Sequence, residues 1–386
     1  MKKIIYVSNT DWYLYNFRLN LMKRMLNETW EVVAVSPPGP FAVKLEAAGI
    51  RFVSLEMDRK GKNPLRDGKL FWKLRGIYRH ESPDLVHHFT IKPVIYGTLA
   101  ASSAGKIPVV NAVTGRGSAF MKRSWVGIAA EKLYKISLRR SAAVIFQNRE
   151  DMKFFKDKGL IQNVKTYMIP GSGVDTKRFS PSEKRREKGK DKIVFLMISR
   201  MLWDKGVNEF YEAAEMARAQ YREAEFWLVG GTDPGNPSGI PEKTLRALEK
   251  KGVIKWWGFQ EDAKKFCENA DVIVLPSYLE GLPKTLLEGA AMEKPLIATD
   301  TPGCRDVVKD GVTGLLVPVK DAGKLAEAMA WMIENPEERK AMGKRGRQQV
   351  LVLFSDEIVI RKTLEVYSQV LGGDSKFTEN RDRGVT

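Results

Sequence analysis

The chain has 386 residues, is 43% hydrophobic and 10% aromatic, and carries 64 Lys and Arg against 47 Asp and Glu, a formal net charge of +17. That size supports two ordinary cores, while two cysteines (Cys267, Cys304) and three histidines (His80, His87, His88) exclude a disulfide framework and a histidine-rich metal centre. The charge is one-sided, with 31 Lys and Arg against 14 Asp and Glu in residues 1–180 and 33 of each in residues 181–386, so the N-terminal half is expected to meet something anionic: nucleic acid, lipid or a phosphorylated substrate.

No apolar run approaches the roughly 20 residues that span a bilayer. The N-terminus enters a strand at once, with no signal-peptide pattern, which predicts a cytoplasmic protein. Residues 4–7 read as a strand, Ser8, Asn9 and Thr10 as a loop, and the next stretch as a helix with Leu19, Met22 and Leu26 on one face. Strands over 31–36, 51–55, 84–87, 109–110 and 143–147, with a helix near 41–48, predict a parallel sheet covered on both faces. A glycine-rich turn at 169–175 ends this first domain, placed at 1–180. Residues 180–191 contain no apolar residue apart from a proline and read as a linker. Beyond it strands are expected over 193–198, 225–229, 254–257, 272–275, 296–297 and 314–317, with helices over 207–219, 243–250, 262–269, 285–292 and 322–335. These make a second doubly wound domain, 181–354. A closing helix over 355–372 carries Ile360, Leu364, Tyr367 and Leu371 on one face, and 373–386 is a polar tail.

The stretch from Asp271 to Ala291 carries the chemistry. Its apolar run ends at Pro276, and the loop Glu280-Gly281-Leu282-Pro283 feeds a helix through Lys284 and Thr285. A tight loop at a helix N-terminus favours a phosphate, whereas Glu280 and Glu288 are suited to accept hydroxyl hydrogens from sugars beside it. By spacing alone the two acids read as solvated groups near a helix start. Arg200 and Lys205 follow the first strand of the second domain, where α/β sheets bind ligands, and form a diphosphate clamp or a solvated pair. Gly230 and Gly258, the latter followed by Phe259, end two further strands and let a ligand approach the backbone.

Together these residues resemble the retaining family 4 (group 1) glycosyltransferases. The Glu280 to Glu288 spacing matches that family's pair of glutamates, and Arg200-x(4)-Lys205-Gly206 matches its basic motif. The resemblance implies an α/β fold of GT-B type: two Rossmann-like domains with a cleft between them and a C-terminal helix crossing back. It also implies a nucleotide-diphosphate sugar donor, with UDP expected, no cofactor and no metal loop. Glu280 would face the donor hexose, Glu288 the ribose, Arg200 and Lys205 the diphosphate, and Gly230, Gly258, Phe259 and the 281–285 loop the rest of the nucleotide. In the first domain, Asn9, His87, Lys92, Thr114 and Gly115 lie in segments similar to a bacterial subgroup that adds sugars to glycan or polyprenyl-diphosphate-linked acceptors. Thr114 stands where many members have His, Asn9-Thr10 where they have Gly-Gly, and Lys284 where an Asn is common. These departures leave the donor-domain chemistry intact and bear on the acceptor.

Two stretches, 59–75 and 116–140, interleave cations with Phe, Trp, Tyr and Met. They read as peripheral contact with an anionic membrane or as solvated helices whose aromatics are core. A nucleotide-sugar epimerase, and a basic nucleic-acid-binding protein, remain alternatives for the chain as a whole; the motifs favour the transferase and no nucleic acid.

Overall fold

The computed structural model describes residues 1–58, 63–115, 125–181 and 192–373. Contacts divide the chain into a first unit, residues 1–172 with 359 onward, and a second unit, residues 173–358. In the first unit the strands are β1 (Lys3–Val7), β2 (Glu31–Ser36), β3 (Arg51–Ser54), β4 (Leu85–Phe89), β5 (Val109–Val113), β6 (Ala143–Phe146) and β7 (Thr166–Met168). Between them run α1 (Asp11–Asn27), α2 (Ala42–Ala47), α3 (Pro64–Glu81), α4 (Thr98–Gly105), α5 (Trp125–Leu138) and α6 (Arg149–Asp157), with a π-helical turn at Pro93–Gly97. The strands pair in parallel in the order β3-β2-β1-β4-β5-β6-β7. β4, β5 and β6 are buried along their whole length, as a sheet covered on both faces requires.

The second unit contains β8 (Ile193–Ile198), β9 (Ala224–Val229), β10 (Ile254–Trp256), β11 (Val272–Leu275), β12 (Leu296–Thr299) and β13 (Gly314–Val317). Its helices are α7 (Val207–Gln220), α8 (Glu242–Lys250), α9 (Lys264–Asn269), α10 (Lys284–Ala291), α11 (Pro302–Val307), α12 (Ala322–Glu334) and α13 (Pro336–Leu353). The order β10-β9-β8-β11-β12-β13 repeats the doubly wound plan. α14 (Asp356–Val370) starts in the second unit, and from Val359 it belongs to the first. There Tyr367 is fully buried in a core with Tyr6, Leu14 and Phe89.

The boundary at Ser172 and Gly173 lies earlier than the expected residue 180. Val174 and Phe179 pack with Val350 and Phe354, and Val174 exchanges backbone hydrogen bonds with Phe354 and Asp356 at 3.0 Å, so this segment is core of the second unit. Residues 182–191, the expected linker, and the tail from 374 lie outside the described residues. α10 begins at Lys284, one residue before the expected start, and α13 has no counterpart among the expected helices.

At the N-terminal ends of β1 to β3, opposite the edge where ligands bind, Glu81 at the end of α3 pairs with Arg51 and, at 2.9 Å, with Lys3, while Glu31 bridges the same two cations. The Arg51 guanidinium, helped by Lys3, holds the Glu81 carboxyl down at about 2. A depressed carboxyl contributes stability that is present above its ordinary value of 4.5 and lost as pH falls toward 2. Glu81→Gln is therefore expected to lower stability at pH 7, with the gap to wild type closing between pH 4.5 and about 2, as urea midpoints across that range would measure.

Candidate donor site

Strand order reverses between β8 and β11, and open α/β sheets bind ligands outside the carboxyl ends of the strands at such a point. The loops leaving these two strands meet there. Lys205, in the 3₁₀ turn Trp203–Lys205 after β8, places its Nζ 2.6 Å from Glu280 Oε1 in the loop after β11. Both side chains are largely buried, at 20% and 14% exposure, so the pair is screened less than a surface ion pair. The two loops are also stitched by backbone, Tyr278 N donating to Asp204 O at 2.9 Å, and Tyr278 OH donates to Oε1 of Glu209 on α7 at 2.6 Å.

Arg200 reaches out from the end of β8 and pairs with Asp233 at 2.8 Å, remaining half exposed. Arg200 and Lys205 thus flank the site, each held by a carboxylate that an incoming anion would compete with. Pro283 precedes α10 with no side-chain cap, and Gly281, Leu282, Lys284 and Thr285 are all partly accessible around this helix start. Glu288, one turn further along, is 12% exposed with Lys284 Nζ 3.8 Å away. Burial raises its carboxyl above the ordinary value, and Lys284 opposes that shift.

Gly230 ends β9 at φ +145°, in the region glycine favours, and a Cβ there would run into the carbonyl of Ser199. Its N–H donates to Gly258 O at 2.8 Å, and Trp256 Nε1 donates to its carbonyl at 3.0 Å. Beside these two glycines Phe259 is 60% exposed, an apolar platform on the ligand edge. Among the described residues no three His, Cys, Asp or Glu side chains gather as a metal site.

Sequence reasoning missed three contributors. Asp233, Glu209 and Gly303 lie far in sequence from the side chains or backbone they meet. Gly303, in α11, sits against the carbonyls of Glu280 and Gly281, where a Cβ would collide. Its one visible signal is a Pro-Gly after a strand.

The acceptor-side candidates are less uniform. Asn9, Thr114 and Gly115 lie partly accessible beyond the ends of β1 and β5. Lys92 is committed to Asp67 at 2.6 Å, and Tyr96 OH donates to the other oxygen of that carboxylate. His87 is buried in the core: its Nδ1 is 2.5 Å from Tyr367 OH, and its ring lies 4.1 Å from that of Phe89. Burial and the charge of Arg18 hold its imidazole neutral. It is a packed strand-end histidine, the alternative its sequence position offers beside an acceptor role. Next to it His88 joins Tyr78, Asn111 and Thr98 in a buried hydrogen-bonded network that anchors the π-helical turn.

The fold and this edge define a two-sheet α/β protein of GT-B type with a phosphate-compatible loop and helix start in its second unit. Residues 180–349 match the family model of glycosyl transferases group 1, and residues 3–148 that of the glycosyl transferase 4-like family. A Campylobacter jejuni N,N'-diacetylbacillosaminyl-diphospho-undecaprenol alpha-1,3-N-acetylgalactosaminyltransferase is 31% identical, covering 96% of this chain and 99% of its own. An Escherichia coli UDP-Gal:alpha-D-GlcNAc-diphosphoundecaprenol alpha-1,3-galactosyltransferase is 25% identical over 78% of this chain and 80% of its own. Among solved structures, sucrose-phosphate synthase of Thermosynechococcus elongatus superposes with TM-score 0.80 at 21% identity, over 97% of this chain and all of the other. Anabaena HepE, in complex with UDP, gives 0.77 at 18% identity, over 96% and 100%. The chain belongs to the group 1 glycosyltransferases.

A carboxyl raised by burial makes folding less favourable once pH exceeds its unfolded value, because the charged form resists burial. Glu288→Gln should therefore raise the urea midpoint of the ligand-free protein at pH 7. That gain should vanish below the ordinary value of 4.5.

Proposed function

We propose that the chain is a retaining glycosyltransferase that moves a hexose or N-acetylhexosamine from a UDP-sugar to a polyprenyl-diphosphate-linked glycan in cell-surface polysaccharide assembly. The observation that carries this reading is the Lys205–Glu280 pair at the β8/β11 reversal, beside the start of α10, in a chain of this family. The names of the two relatives support the donor and acceptor classes. Retention has chemical support: UDP-galactose carries an α-linked diphosphate, and the galactosyltransferase relative is named for an α-1,3 product.

In this reading the second unit holds the donor. Arg200 and Lys205 face the diphosphate, Glu280 orients the hexose, Glu288 takes the ribose, and Gly230, Gly258 and Phe259 border the base. The acceptor hydroxyl attacks C1 on the leaving-group side as the C1–O bond to the diphosphate breaks, and the departing diphosphate oxygen takes its proton. Negative charge grows on that oxygen in the transition state, where two fixed cations and the positive end of α10 stabilise it without solvent reorganisation. Turnover should therefore survive chelation of divalent metal.

Lys205→Ala and Arg200→Ala are expected to reduce turnover of UDP-sugar roughly 100-fold or more, with little change in melting temperature for Arg200→Ala, whose pair with Asp233 is half exposed. Glu280→Gln should chiefly lower kcat, and Glu288→Gln should chiefly weaken UDP binding in calorimetric titration. Full turnover in either cation variant would refute the diphosphate assignment. Loss of UDP affinity confined to Glu280→Gln would exchange the two glutamate roles.

The first unit is proposed to dock on anionic membrane through α3. This helix exposes Leu65 (85%) and Trp72 (62%) among Arg66, Lys69 and Lys73, with the Arg75 guanidinium 5.3 Å from the Trp72 ring, whereas Phe71 turns toward the core. Residues 59–62 and 116–124 of the two cationic stretches lie outside the described residues; the rest of the second stretch runs along α5, where Tyr134 and Leu138 are buried and Ile128 and Ile136 are exposed. No described helix is long and apolar enough to cross a membrane, so contact would be peripheral. Sedimentation with vesicles should increase with phosphatidylglycerol and weaken with salt. A Lys69/Lys73/Arg75→Glu variant should lose it while still binding UDP. Equal sedimentation of both proteins on anionic and neutral vesicles would leave the basic face to a soluble anion.

A further inference from the structure

Six buried side-chain polar atoms among the described residues have no hydrogen-bond partner, and three of them, Ser8 Oγ, Arg18 Nε and His87 Nε2, lie in the first unit. They share one face of its sheet. Tyr6 and His87 are partners in the parallel register of β1 and β4, so Ser8 and Phe89, each two residues further on, project to the same side. The guanidinium of Arg18 sits on that side, 4.4 Å from the centre of the Phe89 ring. β1 and β4 are also the strands between which the order of this sheet reverses, which makes their carboxyl ends the ligand-binding position in the first unit as β8 and β11 are in the second.

Arg18 is 5% exposed, and its partners are neutral. NH1 donates to Gly171 O at 3.3 Å and NH2 to Tyr13 OH at 2.9 Å. Among the described residues no carboxylate forms an ion pair with it. Asp11, the nearest acid along the chain, is engaged by the amides of Trp12, Phe41 and Ala42. A buried cation with no counter-ion is costly to the free protein, and a guanidinium offers the planar fork that matches phosphate oxygens. The partly accessible residues Asn9, Thr90 and Ser172 follow directly on Ser8, Phe89 and Gly171, so the chain reaches solvent beside the buried groups at the strand ends where a crevice is expected.

We propose that this crevice seats the diphosphate of the acceptor, with Arg18 as its counter-ion and the Ser8 hydroxyl as a hydrogen-bond donor. The assignment rests on the lipid-linked acceptor reading above and names the residues that would recognise the acceptor's charge. The anion replaces the long bond from Arg18 to Gly171 and neutralises the buried charge.

The test is calorimetric titration of inorganic pyrophosphate and of geranyl diphosphate into protein saturated with UDP, so that the donor site is filled, with geraniol as the uncharged control. Wild type should bind both anions and not geraniol. Arg18→Met should weaken both at least 10-fold while UDP affinity is kept and the melting temperature of the anion-free protein does not fall, and Arg18→Lys, which retains charge without the fork, should fall between. Binding of both anions unchanged in Arg18→Met would overturn the assignment, as would wild-type protein that binds neither. Should Arg18→Met not fold, Arg18→Lys decides, and an affinity equal to wild type overturns the proposal. Failure of the acceptor reading is separately visible as wild-type protein that binds pyrophosphate through Arg18 yet transfers no sugar to a polyprenyl-diphosphate glycan.

Discussion

The placement of functional groups depends on one constraint, the reversal of strand order in a parallel sheet. Where neighbouring strands send their connections to opposite faces, the loops above them part and leave a crevice lined by strand ends and helix starts. The second unit fills that crevice with a cation and a carboxylate from loops 75 residues apart in sequence, Lys205 and Glu280. The first unit fills its own with Arg18 and unsatisfied neutral groups. One architecture thus presents two polar crevices of different charge balance, one internally paired and one carrying an unpaired cation.

Burial gives these groups their character. Charges in the crevice interact through less water than charges on the outer helices, so the Lys205–Glu280 pair matters where an exposed pair such as Lys324–Glu327 does little. The same burial makes Glu288 and Arg18 unfavourable to the free protein. Stability is given up at the positions proposed to meet substrate, and the opposite ends of the strands are tied by the Lys3, Glu31, Arg51 and Glu81 network.

Much of this was legible in the sequence because the relevant signals are local. The alternation of apolar runs with helical spacing gave the two doubly wound units, and the loops carrying Arg200, Lys205, Glu280 and Glu288 are short segments after strands. What remained hidden depends on partners distant in the chain. Asp233 reads as an ordinary loop acid until Arg200 meets it across 33 residues, and Arg18 reads as a helix-surface cation until Phe89 and Gly171 cover it. α13 was not foreseen because residues 339–347 are dominated by cations and interrupted by two glycines, so its buried face, with Met342 and Val350, makes no clear stripe. The first-unit boundary was displaced because Val174 and Phe179 lie in a polar, turn-rich stretch while their packing partners stand near residue 350.

The return of α14 to the first unit has a consequence for the order of assembly during synthesis. The hydrogen bond between His87 and Tyr367 closes a span of 280 residues, and Val359, Leu364 and Val366 complete the same core. A chain emerging from the ribosome therefore has every strand of the first sheet long before it has the helix that covers them, whereas the second unit is contiguous and can finish within itself. The first unit is thus made before the second and is still the one that must wait, exposing an apolar face until α14 arrives.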